Sequence, residues 1–261
     1  MDSFGHSPFL AGKVAIVTGA AQGNGFAIAE RLARHGCVVA AIDINADGIH
    51  AAAARLGEPS RPFVADCSKV ASIGEVVGQV RNAFGRIDVL VNNAGLLRIA
   101  SFPDIGEADF DMTVNLNLKG AFYFAQEVQA DLPRDGRIVN IASVAGVDGR
   151  TLSAPYAATK AGLITITKTL ARSLAGRGIT VNAVAPGLID TPFNAILDQK
   201  IGVEKQGLKP GEMLARRAAE IPLGRIGRSD EVAGVVAFLT SPDASYITGE
   251  TIIISGGWVI D

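Results

Sequence analysis

Cysteine is scarce in this sequence. Its two cysteines, Cys37 and Cys67, each lie within or beside an apolar run. A secreted disulfide scaffold needs many more cysteines at recurring spacings, so this class of protein is excluded. We therefore expect both thiols to be buried and reduced.

An excess of charge of one sign and long apolar runs are lacking too. The 24 Lys and Arg residues nearly balance the 26 Asp and Glu residues, and no basic run marks a nucleic-acid surface. No apolar run reaches the roughly 18 residues of a membrane span. The N-terminal stretch MDSFGHSPFL lacks the basic start and apolar centre of a signal peptide. We expect a cytoplasmic protein with no nucleic-acid partner, no membrane partner and no metal site.

The 261 residues do contain an alternation of short apolar runs with longer amphipathic ones. Most of the apolar runs are separated by helical patterns, including one over residues 107–131 and one over 155–175. Strands that are apolar on both faces are typical of a parallel sheet covered by helices on both sides. The pattern predicts an α/β fold, an open doubly wound sheet of seven mainly parallel strands in a single domain spanning 1–261. The seven runs predicted as strands are KVAIVTG, VVAAID, PFVAD, IDVLVNNAG, GRIVNIAS, ITVNAVAPG and ETIIIS.

One region, residues 193–228, breaks this alternation. It is richer in Lys, Glu and Gly than its surroundings and lies between a predicted strand and a predicted helix. A segment of this length inside a compact domain is usually a lid or a binding segment. We expect a helical substrate lid, with a surface insertion of no consequence as the alternative.

A glycine-rich turn, VTGAAQGNG, follows the first predicted strand and precedes the first predicted helix. Gly19, Gly23 and Gly25 allow positive φ angles and a close approach of the backbone to a phosphate. The free N–H groups of the helix would then face a pyrophosphate. The turn predicts dinucleotide binding, although a plain strand-to-helix turn would share its composition.

Asp43 ends the second predicted strand. A carboxylate at that place can accept hydrogen bonds from both hydroxyls of an adenosine ribose, whereas a 2′-phosphate would meet like charge. The glycine turn contains no Arg or Lys, and Ile44 follows the aspartate. We expect NAD (NADH) rather than NADP; an N-cap role of Asp43 for the next helix is an alternative that does not exclude the first.

Tyr156 and Lys160 occur in the stretch APYAATK, four positions apart and therefore on one face of a helix. A free phenol has a pKa of about 10, which is too high for an efficient base near neutrality. A nearby ammonium group favours the phenolate, so Lys160 should lower the pKa of Tyr156. The pair by itself would also fit an ordinary surface helix.

Several motifs in register resemble those of the short-chain dehydrogenase/reductases. TGAAQGNG resembles the glycine turn of that family, NNAG at 92–95 its fourth-strand motif, and PGLIDT at 186–191 the segment after its sixth strand. Ser143 stands thirteen positions before Tyr156, and Lys160 completes the Y-x-x-x-K element. The resemblance covers about residues 13–258 and implies a Rossmann-type domain that exchanges hydride between a nicotinamide and a secondary alcohol or ketone.

The resemblance also implies the catalytic residues. Tyr156 is the general acid/base, Ser143 hydrogen-bonds the substrate oxygen, and Lys160 holds the nicotinamide ribose. An asparagine in the helix after NNAG would hold a water for proton relay. Asn117, in Asn117-Leu118-Lys119-Gly120, fits the family pattern better than Asn115.

Cofactor and substrate residues are implied in the same way. Asn24 departs from an isoleucine common in the family, and Ser255 from an aspartate. The implied cofactor-binding residues are Gly19, Gln22, Asn24, Gly25, Asp43, Asp66, Cys67, Asn93, Gly95, Tyr156, Lys160, Pro186, Gly187, Ile189 and Thr191. The implied substrate residues are Ser143, Val144, Tyr156 and Leu188, with Leu96, Leu97, Ala145, Asp148, Arg150 and Leu152 as further candidates.

The substrate is left open by these motifs. We expect an NAD-dependent alcohol dehydrogenase acting on a sugar, a polyol or a cyclic alcohol. The alternative is a 3-oxoacyl-(acyl-carrier-protein) reductase, against which Asp43 counts because that role would fit an NADP preference. A dinucleotide-binding regulator without turnover is a third hypothesis. The resemblance further implies a homotetramer.

Overall fold

The central sheet follows the predicted alternation. The computed structural model of the protein describes residues 8–149 and 152–260. Seven strands run parallel in the order β3-β2-β1-β4-β5-β6-β9, and β7 and β8 form a separate parallel pair. The strands are Val14–Thr18 (β1), Val38–Asp43 (β2), Arg61–Val64 (β3), Val89–Asn92 (β4), Arg137–Ile141 (β5), Thr180–Pro186 (β6), Ile189–Asp190 (β7), Gly227–Arg228 (β8) and Thr251–Ile254 (β9).

Helices cover both faces of the sheet, as the two-sided apolar strands predict. One buried cluster packs the first and last long helices against the sheet, with Ile28 and Val236 among its members. A second cluster fills the opposite face, with Val77 and Phe124. The helices are Gly23–Arg34 (α1), Ala46–Leu56 (α2), Val70–Phe84 (α3), Glu107–Val114 (α4), Ala121–Val128 (α5), Ala145–Asp148 (α6), Ala154–Leu174 (α7), Pro192–Leu197 (α8), Glu212–Glu220 (α9) and Ser229–Thr240 (α10). Across residues 8–149 and 152–260, no helix combines the length and the apolar character that crossing a membrane requires.

The helix predicted over 107–131 is interrupted. A π-helical turn, Asn115–Gly120, separates α4 from α5, and α5 ends at Val128. At Gly120 the helix passes so close to the Cys67 carbonyl oxygen that any added Cβ would overlap it. Single π turns recur at functional sites because they re-aim one side chain. Here the side chain turned into the protein is that of Asn117, which is 1% exposed.

The segment predicted as a lid is helical and tied together. It contains α8, a π-helical turn over Asp198–Val203, and α9, and the β7–β8 pair joins its two ends. The buried carboxylate of Asp198 accepts hydrogen bonds from the backbone N–H groups of Gly211 (2.6 Å) and Leu214 (3.3 Å). Asp198 therefore satisfies donors at the start of α9 from a distance, as an N-cap residue would do locally.

Candidate active site

A cleft of about 760 Å³ opens at the carboxyl ends of the strands. It spans the point between β1 and β4 where the strand order reverses, which is where open α/β sheets bind ligands. Every cofactor and substrate residue implied by the resemblance borders this cleft. Those residues are Gly19, Gln22, Asn24, Gly25, Asp43, Asp66, Cys67, Asn93, Gly95, Ser143, Val144, Tyr156, Lys160, Pro186, Gly187, Leu188, Ile189 and Thr191.

The glycine turn has no room for a side chain at Gly19 or Gly25. Gly19 has a φ of +66°, and a Cβ there would lie 2.9 Å from the Ala94 Cα; a Cβ on Gly25 would overlap the carbonyl oxygen of Gly19. Asn93 fixes the turn because its Nδ2 donates to the carbonyl oxygens of Thr18 (2.9 Å) and Gly19 (3.1 Å). The backbone of the turn therefore forms one wall of the cleft.

The start of α1 suits a pyrophosphate. Its N-cap residue, Gln22, makes no side-chain cap hydrogen bond, and the first turn carries no acidic residue. The first N–H groups and the positive end of the helix dipole are thus available for an anion. Asn24 lies in this turn, and its buried Oδ1 has no hydrogen-bond partner within the protein. These residues fit a dinucleotide cofactor.

Asp43 is held at the adenosine end of the cleft. Its carboxylate accepts hydrogen bonds from the backbone N–H groups of Ala21 (3.1 Å) and Asn45 (3.0 Å). The alternative role for Asp43 as the cap of α2 is wrong, because Asn45 is the N-cap and accepts from the Gly48 N–H at 3.0 Å. Two hydrogen bonds fix the carboxylate against the glycine turn.

Asp66 and Cys67 complete this end. The Ser68 hydroxyl donates to Asp66 (2.6 Å) and lowers the pKa of that carboxyl below its ordinary value, with Lys69 also contributing. Burial raises the pKa of the Cys67 thiol to about 12. Burial likewise raises the pKa of Cys37, beside β2, to about 12, and both cysteines are free and buried, as expected.

Three polar side chains meet at the centre of the cleft. Ser143 follows β5, and Tyr156 and Lys160 lie one turn apart on α7, with the Lys160 Nζ 5.6 Å from the Tyr156 ring centroid. A hydrogen bond joins the Ser143 and Tyr156 hydroxyls. The buried Lys160 ammonium donates to the Ile141 carbonyl oxygen at 2.7 Å, so the end of β5 sets its position.

Burial dominates the ionisation of this group. It raises the pKa of Tyr156 above its ordinary value, and the Ser143 hydrogen bond opposes the rise. It lowers the pKa of Lys160 to about 8. The expectation that Lys160 lowers the pKa of Tyr156 is therefore not met by the protein alone, because desolvation of the phenolate outweighs the other effects.

Comparison with known proteins identifies the arrangement. A family model described as enoyl-(acyl carrier protein) reductase matches residues 19–259. The 3-oxoacyl-[acyl-carrier-protein] reductase FabG of Thermotoga maritima is 45% identical over 258 residues, which cover 96% of this chain and 99% of that protein. The chain is a short-chain dehydrogenase/reductase. It therefore belongs to a family of oxidoreductases that bind a nicotinamide dinucleotide.

Other similar short-chain dehydrogenase/reductases differ in name. The sorbitol dehydrogenase of Cereibacter sphaeroides is 37% identical over 251 residues, or 95% of this chain and 98% of that protein. A blue fluorescent protein from a metagenomic library, solved in complex with NADPH, matches with a TM-score of 0.88 and 36% identity over 97% of this chain and all of that one. The family and its Rossmann-type fold, both predicted from the motifs, are confirmed.

Asn117 lies directly beneath the active site of this short-chain dehydrogenase/reductase. Its Oδ1 accepts from the Leu96 N–H (2.8 Å), and its Nδ2 donates to the Leu96 carbonyl oxygen (2.9 Å) and to the Thr159 hydroxyl (3.3 Å). A Cβ on Gly95 would lie between the Asn117 Oδ1 (3.2 Å) and the Lys160 Nζ (3.5 Å). Asn115 is half-buried. The shared contact at Gly95 places the chosen asparagine, Asn117, near the lysine.

The opposite wall comes from the segment after β6. Thr191 caps α8, accepting from the Asn194 N–H at 3.4 Å, and Gly187 packs against the Ser255 backbone. The Ser255 hydroxyl donates to the Val259 carbonyl oxygen (3.0 Å) and accepts from its N–H (3.1 Å). Serine thus closes the C-terminal turn where the family has an aspartate.

The substrate end contains residues that the motifs did not single out. The Phe193 ring lies 6.1 Å from the Tyr156 ring, and Met112, Arg217 and Trp258 also border the cleft. Arg217 could have been found from the sequence, because it lies one helical turn after the apolar Met213 and residues four apart share one face of a helix.

The further substrate candidates divide into three groups. Leu96, Leu97, Ala145 and Leu152 border the cleft, whereas Asp148 does not. Arg150 lies outside the described residues. Arg98, in the loop after β4, forms an ion pair with Asp109 at 3.3 Å.

Proposed function

We propose that the protein interconverts a 3-oxoacyl thioester and the corresponding 3-hydroxyacyl thioester with NAD(H). The observation that carries this proposal is the Ser143–Tyr156–Lys160 group facing an apolar substrate end. The expectation of a sugar, polyol or cyclic alcohol ranks second, because the names of similar proteins favour the 3-oxoacyl alternative.

The apolar lining supports an acyl substrate. The side chains around the substrate end come from the loop after β4, from α4 and the π-helical turn after it, from the loop before α7 and from the lid. They offer few hydrogen-bonding groups for the several hydroxyls of a polyol. A hydrocarbon chain would displace water from this surface at a gain of about 25 cal/mol per Å². The apolar residues are Leu96, Leu97, Ile99, Met112, Leu116, Leu152, Phe193, Leu197 and Ile201.

The preference for NAD(H) rests on Asp43. Its carboxylate borders the adenosine end and is held there by two backbone N–H groups, so it cannot turn away easily from a ribose phosphate. Like charges at that distance repel, and the glycine turn supplies no cation to offset them. The fluorescent protein was solved with NADPH, so the phosphorylated cofactor is the competitor against which this preference has to be tested.

The chain's own residues divide the work as follows. The Gly19–Gly25 turn and the start of α1 hold the pyrophosphate, and Asp43 holds the adenosine ribose. The bound nicotinamide supplies the hydride. Ser143 donates a hydrogen bond to the substrate oxygen, which orients the reacting carbon, and the Tyr156 hydroxyl gives its proton to that oxygen during reduction.

Lys160 and Asn117 support the proton transfer. Lys160 places a positive charge near the phenolate that Tyr156 becomes, and the positive charge of an oxidised cofactor acts in the same direction. The amide of Asn117 is already committed to Leu96 and Thr159, so its side chain fixes the wall beside Lys160. A relay water held by Asn117 would have to use its backbone.

A second candidate function is NAD-dependent oxidation of a polyol or a cyclic alcohol. Asp43 favours it, because oxidation in cells commonly draws on NAD, and a sorbitol dehydrogenase is among the relatives. The two candidates share all catalytic residues and differ only at the substrate end.

A single panel of substrates distinguishes the two candidate functions. Purified protein is assayed with NAD(H) and NADP(H) against 3-oxobutyryl thioesters, cyclic ketones, polyols and sugars. We expect the highest kcat/KM for a 3-oxoacyl thioester with NADH. A polyol that outperforms the thioesters would overturn the primary proposal, and the absence of turnover with every compound would support the non-catalytic regulator.

The Tyr156→Phe variant tests the chemistry itself. Losing the proton donor should lower kcat by about 10²–10⁴-fold while the dissociation constant for NADH stays within about twofold, because the phenol adds little to cofactor binding. Fluorescence titration gives the affinity and stopped-flow absorbance gives the rate. Normal turnover by this variant would refute the role of Tyr156.

A further inference from the structure

Hydroxyl side chains border the cleft at five positions, and four of them already have hydrogen-bond partners within the protein. These four are Ser68, Ser143, Tyr156 and Thr191. The fifth, Ser153, is 8% exposed, and its hydroxyl has no hydrogen-bond partner among residues 8–149 and 152–260. This hydroxyl is therefore available to a ligand that enters the cleft.

Ser153 stands at the N-cap of α7, but its side chain does not cap the helix. A serine at this place usually accepts a hydrogen bond from the backbone N–H group two or three residues further on. Two residues further on is Pro155, which has no N–H group, and the Ser153 side chain forms no cap hydrogen bond. The Ser153 carbonyl oxygen alone serves the helix, accepting from the Ala157 N–H at 3.0 Å. Formation of α7 thus leaves the hydroxyl uncommitted.

The backbone fixes this hydroxyl beside the reacting centre. Ser153 precedes Tyr156 by three residues, so the two side chains lie on the same side of the first turn of α7. The carbonyl oxygen of the preceding residue, Leu152, accepts from the Ala100 N–H at 3.1 Å, which ties this loop to the loop after β4. Leu152 belongs to the apolar lining of the substrate end. Ser153 therefore stands where the proton donor meets the surface proposed for the acyl substrate.

We infer that Ser153 is a specificity-determining residue that donates a hydrogen bond to the thioester carbonyl oxygen of the substrate, while Ser143 and Tyr156 bind the ketone oxygen. This inference rests on the proposed reduction of a 3-oxoacyl thioester. One methylene separates the two carbonyl groups of such a substrate, so both oxygens can reach donors on the same turn of the protein. A hydroxyl donates one hydrogen bond, which matches one further carbonyl oxygen. A ketone without that oxygen would leave the hydroxyl unpaired.

A matched pair of substrates tests the inference. The first is the thioester 3-oxobutyryl-N-acetylcysteamine, and the second is the thioether S-(3-oxobutyl)-N-acetylcysteamine, in which a methylene replaces the thioester carbonyl. Both keep the reacting ketone, and each is reduced by the NADH complex of the wild type and of Ser153→Ala. We expect Ser153→Ala to lower kcat/KM for the thioester by about 3–10-fold, and for the thioether by less than about 1.5-fold.

Ser173→Ala is the control, because Ser173 is an exposed serine near the opposite end of α7. It should match the wild type with both substrates. Equal losses of Ser153→Ala on the thioester and the thioether, or no loss on the thioester, would overturn the inference while leaving the proposed reaction intact.

Urea denaturation separates a substrate contact from a helix cap. A serine that caps a helix lowers the stability of the protein when it is replaced by alanine. Because the Ser153 hydroxyl makes no cap hydrogen bond, the denaturation midpoint of Ser153→Ala should coincide with that of the wild type. A lower midpoint together with equal losses on both substrates would assign Ser153 a structural role and refute its contact with the substrate.

A binding measurement keeps the two proposals separate. Butyryl-N-acetylcysteamine has the thioester carbonyl but no ketone, so its affinity for the NADH complex does not require turnover. We expect it to bind about 3–10-fold more weakly to Ser153→Ala than to Ser173→Ala, as measured by the fluorescence of the bound NADH. Failure of every ketone in the assay would refute the proposed function, whereas equal affinities of the two variants would refute the role of Ser153.

Discussion

The glycine turn after β1 and the lid between β7 and β8 border the same cleft but are held in different ways. In the turn, backbone touches backbone, and no side chain fits at Gly19 or Gly25. In the lid, one buried carboxylate, that of Asp198, ties the π-helical turn to α9. The cofactor end therefore depends on the shape of the main chain, whereas the substrate end depends on side chains that can change without altering the fold.

The largest expected effect comes from breaking the turn with Gly25→Ala. The new methyl group would overlap the Gly19 carbonyl oxygen, which belongs to the backbone and cannot swing aside as the end of a flexible side chain could. We expect a loss of about 4 kcal/mol in the free energy of unfolding, and no measurable NADH binding. Urea denaturation and fluorescence titration give the two values.

Gly78→Ala is the matched control for this substitution. Gly78 lies within α3, and nothing lies within 4 Å of a Cβ built on it. The change should stabilise the protein by about 0.5–1 kcal/mol because alanine favours the helix. If the two variants behaved alike, the close approach at Gly25 would not be what shapes the cofactor end.

The next effect concerns the centre of the cleft and depends on pH. Burial lowers the pKa of Lys160 from 10.5 to about 8, so the folded state releases this proton at a lower pH than the unfolded state does. Stability should rise between about pH 8 and 10.5, and the burial cost should be fully present below pH 8. Relative to Lys160→Met, the wild type should gain on the order of 3 kcal/mol across this window.

Urea denaturation of both proteins at several pH values between 7 and 10.5 measures that gain. Groups that are common to the two proteins and remote from position 160 cancel in the difference. A difference that stays constant with pH would mean that the Lys160 ammonium is better solvated than its position suggests.

The smallest effect loosens the lid alone. Asp198→Ala removes the acceptor for two N–H groups at the start of α9, which should cost about 1–2 kcal/mol. We expect faster amide exchange across the lid and a higher KM for the ketone, with the affinity for NADH unchanged. Asp230→Ala, which removes an exposed partner of Arg228, serves as the control and should change little.

Weaker NADH binding by Asp198→Ala would contradict the claim that the cofactor end of the cleft is held independently of the lid. It would show that the lid and the glycine turn act as one unit.

Sequence reasoning succeeded where local pattern decides structure. The β-branched runs, the glycine turn and the Y-x-x-x-K spacing each lie within a few residues of one another, and the parallel sheet then brings their carboxyl ends to one edge. Asp43 was predicted at the cleft from its place at the end of β2, whereas Ser143 and Tyr156 were joined to it by the family resemblance, and the structure brings all three to one cleft.

What the sequence did not reveal depends on contacts between distant segments. The π-helical turn arises where Gly120 meets the Cys67 carbonyl, and Asp198 caps a helix that starts more than ten residues later. The direction of the Tyr156 pKa was misjudged because a charge spacing shows attraction but not burial. The inward placement of Arg217 likewise required the packing of α9.

The burial of Cys37 and Cys67 has a practical consequence. A thiol with a pKa of about 12 holds almost no thiolate at neutral pH, and the thiolate is the form that maleimides attack. These are the two cysteines of the chain, so a third one introduced on the outer face of α9 could carry a fluorophore at a single position. Such a reporter would follow the lid in the native sequence background, without first deleting the endogenous thiols.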